Sequence, residues 1–395
     1  MPGRPAGHGT DLVSQRPVVA VVCDVIYPYS RGGRELRNQE LLPRLAGRAD
    51  LHVFTMQWWD GPPVRREGGV TYHAISRLHP LYRHGRRSVR QAAWFALASL
   101  RLLGRRFDVL EADQIPYVQL FVLRLVATVK RTTFTVTWHE VWGRSYWREY
   151  LGRAGWAAWA AWAVERLAMR LPDMIIAASP QTAERLREVL GASAPITTVP
   201  NGIDLAAIHA AYPDADPADL VVVGRLIEHK RVGMVLDVVA RLHAQGLRTT
   251  CRIIGDGPER AALEQQAHAL GIAPWVEFRI DVGEQKELYA LLKSARLFVS
   301  LSVREGFGMA VLEAIACGLP VLTTSAPDNH AQHLVRDYSR GTVCEPGLDT
   351  VTAAVRGLLA GPGGPAPDTG GPADSWLASY DWPAVAEKLA GVYAQ

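Results

Sequence analysis

Short runs rich in Val, Ile and Leu alternate with longer amphipathic segments along this 395-residue chain, and the alternation starts afresh just past its midpoint. No other feature restricts the fold as strongly. Strands separated by helical crossovers pair in parallel, and a parallel sheet must be covered on both faces. In the first series, segments 17–29, 50–56, 70–75, 107–111, 132–138, 174–178 and 197–199 read as strands, with helices over about 35–46, 88–103 and 115–130. The turn Pro200-Asn201-Gly202 closes that series, and 220–223, 249–254, 276–280, 297–301, 320–323 and 341–343 form the second. The expected fold class is α/β, with two facing Rossmann-like domains. A flexible arm (1–16) precedes the first domain (17–200). The second (201–374) ends in a Gly- and Pro-rich connector over 361–373, and 375–395 is expected to form a helix crossing back to the first.

Open parallel sheets take their ligands where loops leave the carboxyl ends of strands, and the densest chemistry in the sequence falls at such a place. Residues Glu305 to Glu313 read E-G-F-G-M-A-V-L-E, directly after the strand expected over 297–301. Two carboxylates eight positions apart would sit on broadly the same side and roughly 12 Å apart along the axis if both were helical. They therefore address different parts of an extended ligand. Gly306 and Gly308 let the backbone approach it, and a helix opening near Phe307, Gly308 and Met309 offers bare N–H groups to phosphate. An acidic pair on a solvated face is the ordinary reading of two such glutamates. Their place at a strand end instead suits a sugar nucleotide.

Other strand ends supply cations and turns. Gly224-Arg225-Leu226 leaves the strand over 220–223 and is followed by Lys230-Arg231, so a planar fork and a point charge could grip one diphosphate. Gly255-Asp256-Gly257-Pro258 follows the next strand and reads as a tight turn. In the first series, Gly32-Gly33 forms a glycine loop after the opening strand, and His139-Glu140 ends the strand over 132–138. That histidine is either structural or a donor to a sugar hydroxyl or phosphate oxygen. Asp214-x-Asp216 has the form of a metal motif but lies in a Pro-rich linker, and Arg225, Lys230 and a helix N-terminus already supply positive charge, so no metal and no cofactor is expected. Trp156, Trp159 and Trp162 recur at helical spacing, which reads first as core packing and second as an amphipathic face for a membrane or an apolar acceptor.

Composition narrows the setting. With 48% hydrophobic residues the chain can build two cores, and no apolar run in it reaches membrane length, so the expectation is a cytoplasmic protein. Cys23, Cys251, Cys317 and Cys344 lack metal-type spacing and read as reduced core thiols. Residues 1–200 carry 27 Lys and Arg against 16 Asp and Glu, a net +11, whereas 201–395 carry 16 against 23, a net −7. The basic half is a candidate for contact with the inner face of an anionic membrane.

Taken in order, Gly32-Gly33, T-W-H-E-V-W-G at 137–143, V-P-N-G-I-D at 199–204, G-R-L with K-R, G-D-G-P and E-G-F-G with Glu313 resemble glycosyltransferase family 4, from about residue 17 to 393. The resemblance implies the GT-B fold and transfer of a sugar from a nucleotide-diphosphate donor with retention of configuration and without a catalytic metal. By position, it implies that Arg225 and Lys230 hold the diphosphate with the N–H of Gly33, and that Gly255 lies at the donor. Glu305 would contact donor-sugar hydroxyls beside Gly306, Phe307, Gly308 and Met309, Glu313 the ribose, and His139 the donor sugar or the acceptor. The implied partners are a nucleotide sugar and a glycan, lipid-linked or small-molecule acceptor, with no nucleic acid. Phe278-Arg279-Ile280 and Ala326-Pro327-Asp328-Asn329 depart from the family's usual strings, which touches base and sugar specificity. A GT-B epimerase acting on a sugar nucleotide, or a non-catalytic binder, would share the cleft. The former needs groups placed for proton abstraction, and the latter would lack donor contacts.

Overall fold

The computed structural model describes residues 16–394 apart from 31, 84–85, 153–154, 192 and 362–371, so the arm expected over 1–16 and the connector expected over 361–373 lie for the most part outside the described residues. Two sheets organise the molecule. The first has eight strands in the spatial order Ile196–Thr198, Met174–Ala177, Thr133–Trp138, Val109–Asp113, Val18–Val22, Asp50–Met56, Val70–Ser76 and Val64–Glu67, parallel except for the last pair. The second has six parallel strands in the order Val276–Arg279, Cys251–Ile254, Ala218–Val223, Ala295–Ser300, Val321–Thr324 and Gly341–Cys344. In both, the strand that opens the series has neighbours on either side, so the strand order reverses there. Helices diverge at such a reversal and leave a crevice at the carboxyl ends.

Burial on both faces explains why these strands read as continuous apolar runs. Val19, Ala20, Val21 and Val22 are all buried, with alternate residues feeding apolar clusters on opposite faces of the sheet. Trp382, Val385, Leu389 and Tyr393 of the helix Trp382–Tyr393 join the cluster that also holds Val19, Val21, Leu41 and Leu45, so the chain's last helix seals one face of the first sheet. The chain crosses between the sheets at Pro200-Asn201-Gly202. A Cβ on Gly202 would lie 2.4 Å from the Trp382 ring, so only glycine lets the crossing run beneath that indole. Buried Arg37 donates to the Pro200 carbonyl at 2.5 Å and to Asn201 Oδ1 at 3.3 Å, tying the crossing to the helix Gly33–Leu45.

The structure departs from the sequence reading in several elements. Val64–Glu67 is an edge strand whose V-R-R-E run carries no apolar periodicity, because an exposed antiparallel edge needs none. The helix expected over 88–103 ends at Ala98 and tightens into a 3-10 turn, Ser99–Gly104. The expected terminal helix is a 3-10 segment, Pro372–Tyr380, followed by the α-helix proper. Trp156 and Trp159 are 79% and 58% exposed, which overturns the core reading of that stripe: spacing identifies a helix face but not what the face meets. Cys23, Cys251 and Cys317 are buried free thiols and Cys344 is partly buried. Asp216 pairs with the buried Arg252 and Asp214 caps the Asp216 N–H, which accounts for that motif structurally.

Candidate functional site

The strands Ala218–Val223 and Ala295–Ser300 are neighbours at the reversal of the second sheet, and the residues that follow them meet. Past the first strand, Gly224 to Leu226 turn outward, Glu228–Lys230 make one 3-10 turn, and Arg231 adopts a left-handed φ of 52° before the helix Val232–Ala244. Past the second, the Val303 N–H donates to the His229 carbonyl at 2.9 Å, which stitches the approach to Glu305 onto the Lys230 turn. As a result Lys230 and Glu305 form an ion pair, with side chains 22% and 19% exposed. The Lys230 amine also lies over Gly224, 4.0 Å from where a Cβ would be, beside the exposed Arg225.

Behind that turn stands the glycine pair of the next loop. A Cβ on Gly255 would meet the Gly224 carbonyl oxygen at 2.1 Å, and one on Gly257 would meet the Leu226 carbonyl oxygen at 2.2 Å. Leu226 N–H donates to the Asp256 carbonyl at 2.9 Å. The G-D-G-P turn is thus the rear wall that sets the position of Gly224-Arg225-Leu226, a close backbone approach that only glycine permits.

Glu305 does not share a helix with Glu313. Arg304–Glu305 pair in parallel with Asp328–Asn329 as a two-residue ribbon, Gly308 takes a left-handed φ of 96°, and the helix starts at Met309. Glu305 therefore sits ahead of the helix mouth, and Glu313, buried, sits in the helix Met309–Ala316. Burial pushes the Glu313 carboxyl up to about 7.

The first sheet delivers its own strand ends to the same place. Gly33 opens the helix Gly33–Leu45, and a Cβ there would touch Met309 at 3.5 Å, so two helix N-termini from opposite halves face each other. A Cβ on Gly306 would lie 3.1 Å from the His139 carbonyl oxygen, placing the His139-Glu140 loop against the E-G-F-G loop. Arg304 bonds Glu149 at 3.1 Å and stacks over the Tyr146 ring at 3.9 Å, while Arg185 bonds Asp328 at 2.5 Å. His139, Gly33, Lys230, Glu305 and Met309 are thus brought together, with Gly224-Arg225 and Gly255 stacked behind and Glu313 one helix turn deeper.

The chain matches the family model Glycosyltransferase Family 4 over residues 31–207 and the model Glycosyl transferases group 1 over residues 207–365. Between them the two models cover every residue just placed, the whole second sheet and all of the first sheet but its opening strand Val18–Val22. The chain belongs to glycosyltransferase family 4. Its architecture is the GT-B fold: the structure superposes on sucrose-phosphate synthase from Thermosynechococcus elongatus with a TM-score of 0.78 at 19% identity, over 96% of this chain and 99% of that one. Among curated relatives it is 32% identical over 235 residues to the glycogen synthase of Mycobacterium tuberculosis, a match covering 58% of this chain and only 56% of the relative. It is 26% identical over 372 residues to the GDP-mannose-dependent alpha-(1-6)-phosphatidylinositol monomannoside mannosyltransferase of Mycolicibacterium smegmatis, covering 85% and 88% of the two chains.

In this family 4 chain several charged residues reach the cleft that sequence reasoning missed. Asp113 ends the strand beside the reversal of the first sheet and bonds His139 Nε2 at 2.9 Å. Burial alone would raise the Asp113 carboxyl, but the His139 hydrogen bond and the Arg34 and Arg37 charges outweigh it and hold the group below the usual carboxylate range. An ionised Asp113 fixes the His139 ring and favours a proton on the nitrogen facing it. Arg34 joins this cluster through Glu35 at 2.8 Å, Asp24 at 3.6 Å and Asp113 at 3.7 Å. Glu140 is pushed up to about 7 by burial, against the pull of Arg304 and with the help of the Glu305 charge. Beyond it, fully buried Glu165 accepts from the N–H groups of Trp142 and Gly143 at 2.9 and 3.0 Å, from Trp147 Nε1 at 2.8 Å and from the Tyr117 hydroxyl at 3.1 Å. Those four bonds set the loop that carries His139 and Glu140. The signal for Asp113 was available in the sequence, since it too ends a buried strand. Glu165, 22 residues beyond Gly143, gave none.

Proposed function

We propose that this chain is a retaining glycosyltransferase that moves a sugar from a nucleotide-diphosphate donor to an acceptor hydroxyl in glycan, glycolipid or glycosylated-metabolite biosynthesis. The observation that carries the reading is the Lys230–Glu305 pair at the mouth of the helix Met309–Ala316, faced by Gly33 and by the His139–Asp113 pair of the other half. Lys230 and Arg225 serve the diphosphate with the N–H groups at the two helix openings. Glu305 takes donor-sugar hydroxyls beside Phe307 and Gly308, and Glu313 takes the ribose. The acceptor oxygen forms its bond to the anomeric carbon on the face from which the diphosphate leaves. The broken carbon–oxygen pair goes to the diphosphate, which also receives the acceptor proton, and fixed cations stabilise the charge it gains. The residues provide that charge without a metal or a protein nucleophile.

The relative matched over most of its length is named for GDP-mannose and a phosphatidylinositol mannoside, so GDP-mannose heads the donors to test. Thermal-shift titrations with GDP, UDP, ADP and their sugars in EDTA, followed by nuclear magnetic resonance of the product's anomeric proton, test the reading. Donor stabilisation in EDTA and a product with the donor's configuration support it. Inversion, or a strict requirement for a divalent ion, overturns it. Interconversion of the donor without acceptor would indicate an epimerase instead.

Glu313 gives this reading a pH signature. Its folded-state value near 7 stands above the ordinary 4.5, so its neutral form favours the folded state. That contribution is complete below the unfolded value and is lost as pH rises through 7, a change of about 3 kcal/mol. Glu313→Gln is therefore expected to flatten the fall in melting temperature between about pH 5 and 8 and to melt higher than the wild type at the alkaline end. Parallel profiles for the two proteins would refute it. Because ribose hydroxyls favour the ionised carboxylate, donor binding should also release protons near neutrality, read by calorimetry in buffers of different ionisation enthalpy.

A further inference from the structure

Three helices lie side by side on one face of the first sheet: Val89–Ala98, Tyr117–Lys130 and Gly155–Ala168, the middle one packed against both others. An amphipathic surface helix should turn polar residues outward. These do the opposite. The first exposes Val89, Trp94 and Leu97; the middle one Val118, Phe121, Leu125 and Val129; the last Trp156, Trp159 and Leu167. Of the nineteen large apolar side chains exposed among the described residues, these ten and Leu103 lie on this one face, and only four lie beyond residue 200. A contiguous apolar surface of this kind marks an interaction site.

Its charge identifies the partner. The three helices contain a single acidic residue, Glu165, which is buried and spends its oxygens on the loop described above. Exposed cations border the face instead, among them Arg90, Arg101, Arg105, Arg106, Arg166 and Arg170. At one edge a groove of about 660 Å³ has Trp94, Leu97 and Leu100 on its wall and Arg77, Arg90 and Arg101 at its rim. That shape and polarity suit an amphiphile with an anionic head. A second copy of the chain, docked symmetrically on the same face, would set one arginine border against another. None of the described helices is long and apolar enough to cross a membrane. At 10, 14 and 14 residues they lie along a surface. Tryptophans amid apolar neighbours with a basic border are the composition of a segment seated at the level of lipid headgroups.

We propose that this three-helix face docks on an anionic lipid bilayer. The Trp142, Tyr146, Trp147 and Tyr150 cluster links the docked helices to Arg304 at the cleft. The corollary, which rests on the glycosyl-transfer reading, is that the acceptor is membrane-borne.

The test is flotation of the full chain with vesicles of phosphatidylcholine alone and of phosphatidylcholine with an equal part of phosphatidylglycerol. The wild type is expected to float with the anionic vesicles and not the neutral ones, and to be released by salt. Trp156→Ser/Trp159→Ser and Phe121→Ser/Leu125→Ser are each expected to weaken flotation about tenfold or more, with unchanged melting temperature because the residues are exposed. A wild type that ignores anionic vesicles, or that forms a dimer dissolved by these same substitutions, overturns the proposal. Flotation needs no turnover, so a chain that binds vesicles but transfers no sugar fails the functional reading alone, and one that binds donor but no vesicles fails only this one.

Discussion

Lys230→Ala is expected to lower kcat by about 100- to 1,000-fold, the loss typical when one fixed group that stabilises developing charge is removed. The reason lies in how the amine is held. It is mostly buried, it sits over Gly224 at the carboxyl end of a buried strand, and its partner Glu305 opens the loop at the neighbouring strand. Both strands lie in one rigid sheet, so the amine needs no reorganisation to meet a departing diphosphate. Glu305→Ala should cost a similar factor through lost contacts to the sugar. Because the two side chains hold each other, the double variant should lose far less than the product of the single losses. Steady-state rates of the three variants, with circular dichroism confirming the fold, decide the matter. Rates within about threefold of wild type for either single variant would remove the site from the chemistry.

Gly255→Ala should be among the most damaging single methyls in the donor half, and it strikes the Gly224-Arg225-Leu226 turn. Gly255 has a φ of +134°, and its Cβ would fall 2.1 Å from a backbone oxygen of Gly224. No rotamer relieves a backbone clash, so the Gly224-Arg225-Leu226 turn must move away from Lys230. The expected cost is about 3 kcal/mol of stability or more, with nucleotide-diphosphate affinity lost even where the protein stays folded. Gly246→Ala is the control. Gly246 also has a positive φ, +83°, but a Cβ there meets nothing within 4 Å. Strain alone should cost it about 1 kcal/mol, with affinity intact. Equal behaviour of the two variants in denaturation and nucleotide titration would show that the turn-on-turn contact does not shape the site.

The strands were legible because their signal is local. Val18–Val22, Ala218–Val223 and Ala295–Ser300 are buried on both faces, and a residue buried on both faces must be apolar whatever its neighbours. The edge strand Val64–Glu67 and the ribbon at Arg304–Glu305 were not legible, since one is exposed and the other is two residues long. The sequence places Glu305 at the entry to the helix that holds Glu313, and the structure adds the left-handed Gly308, which spacing cannot reveal and which starts the helix at Met309.

The candidate site divides along the same line. The sequence by itself determined that glycine turns, cations and carboxylates follow buried strands, because strand, turn and helix are each decided by a few consecutive residues. Only the tertiary structure decided which of those groups share a space. Lys230 and Glu305 are 75 residues apart, Asp113 and His139 are 26 apart, and Gly33 meets Met309 from the other half of the chain. Electrostatic pairing and burial depend on distance through space, and it is the order of strands in the two sheets, not the spacing of residues along the chain, that sets those distances.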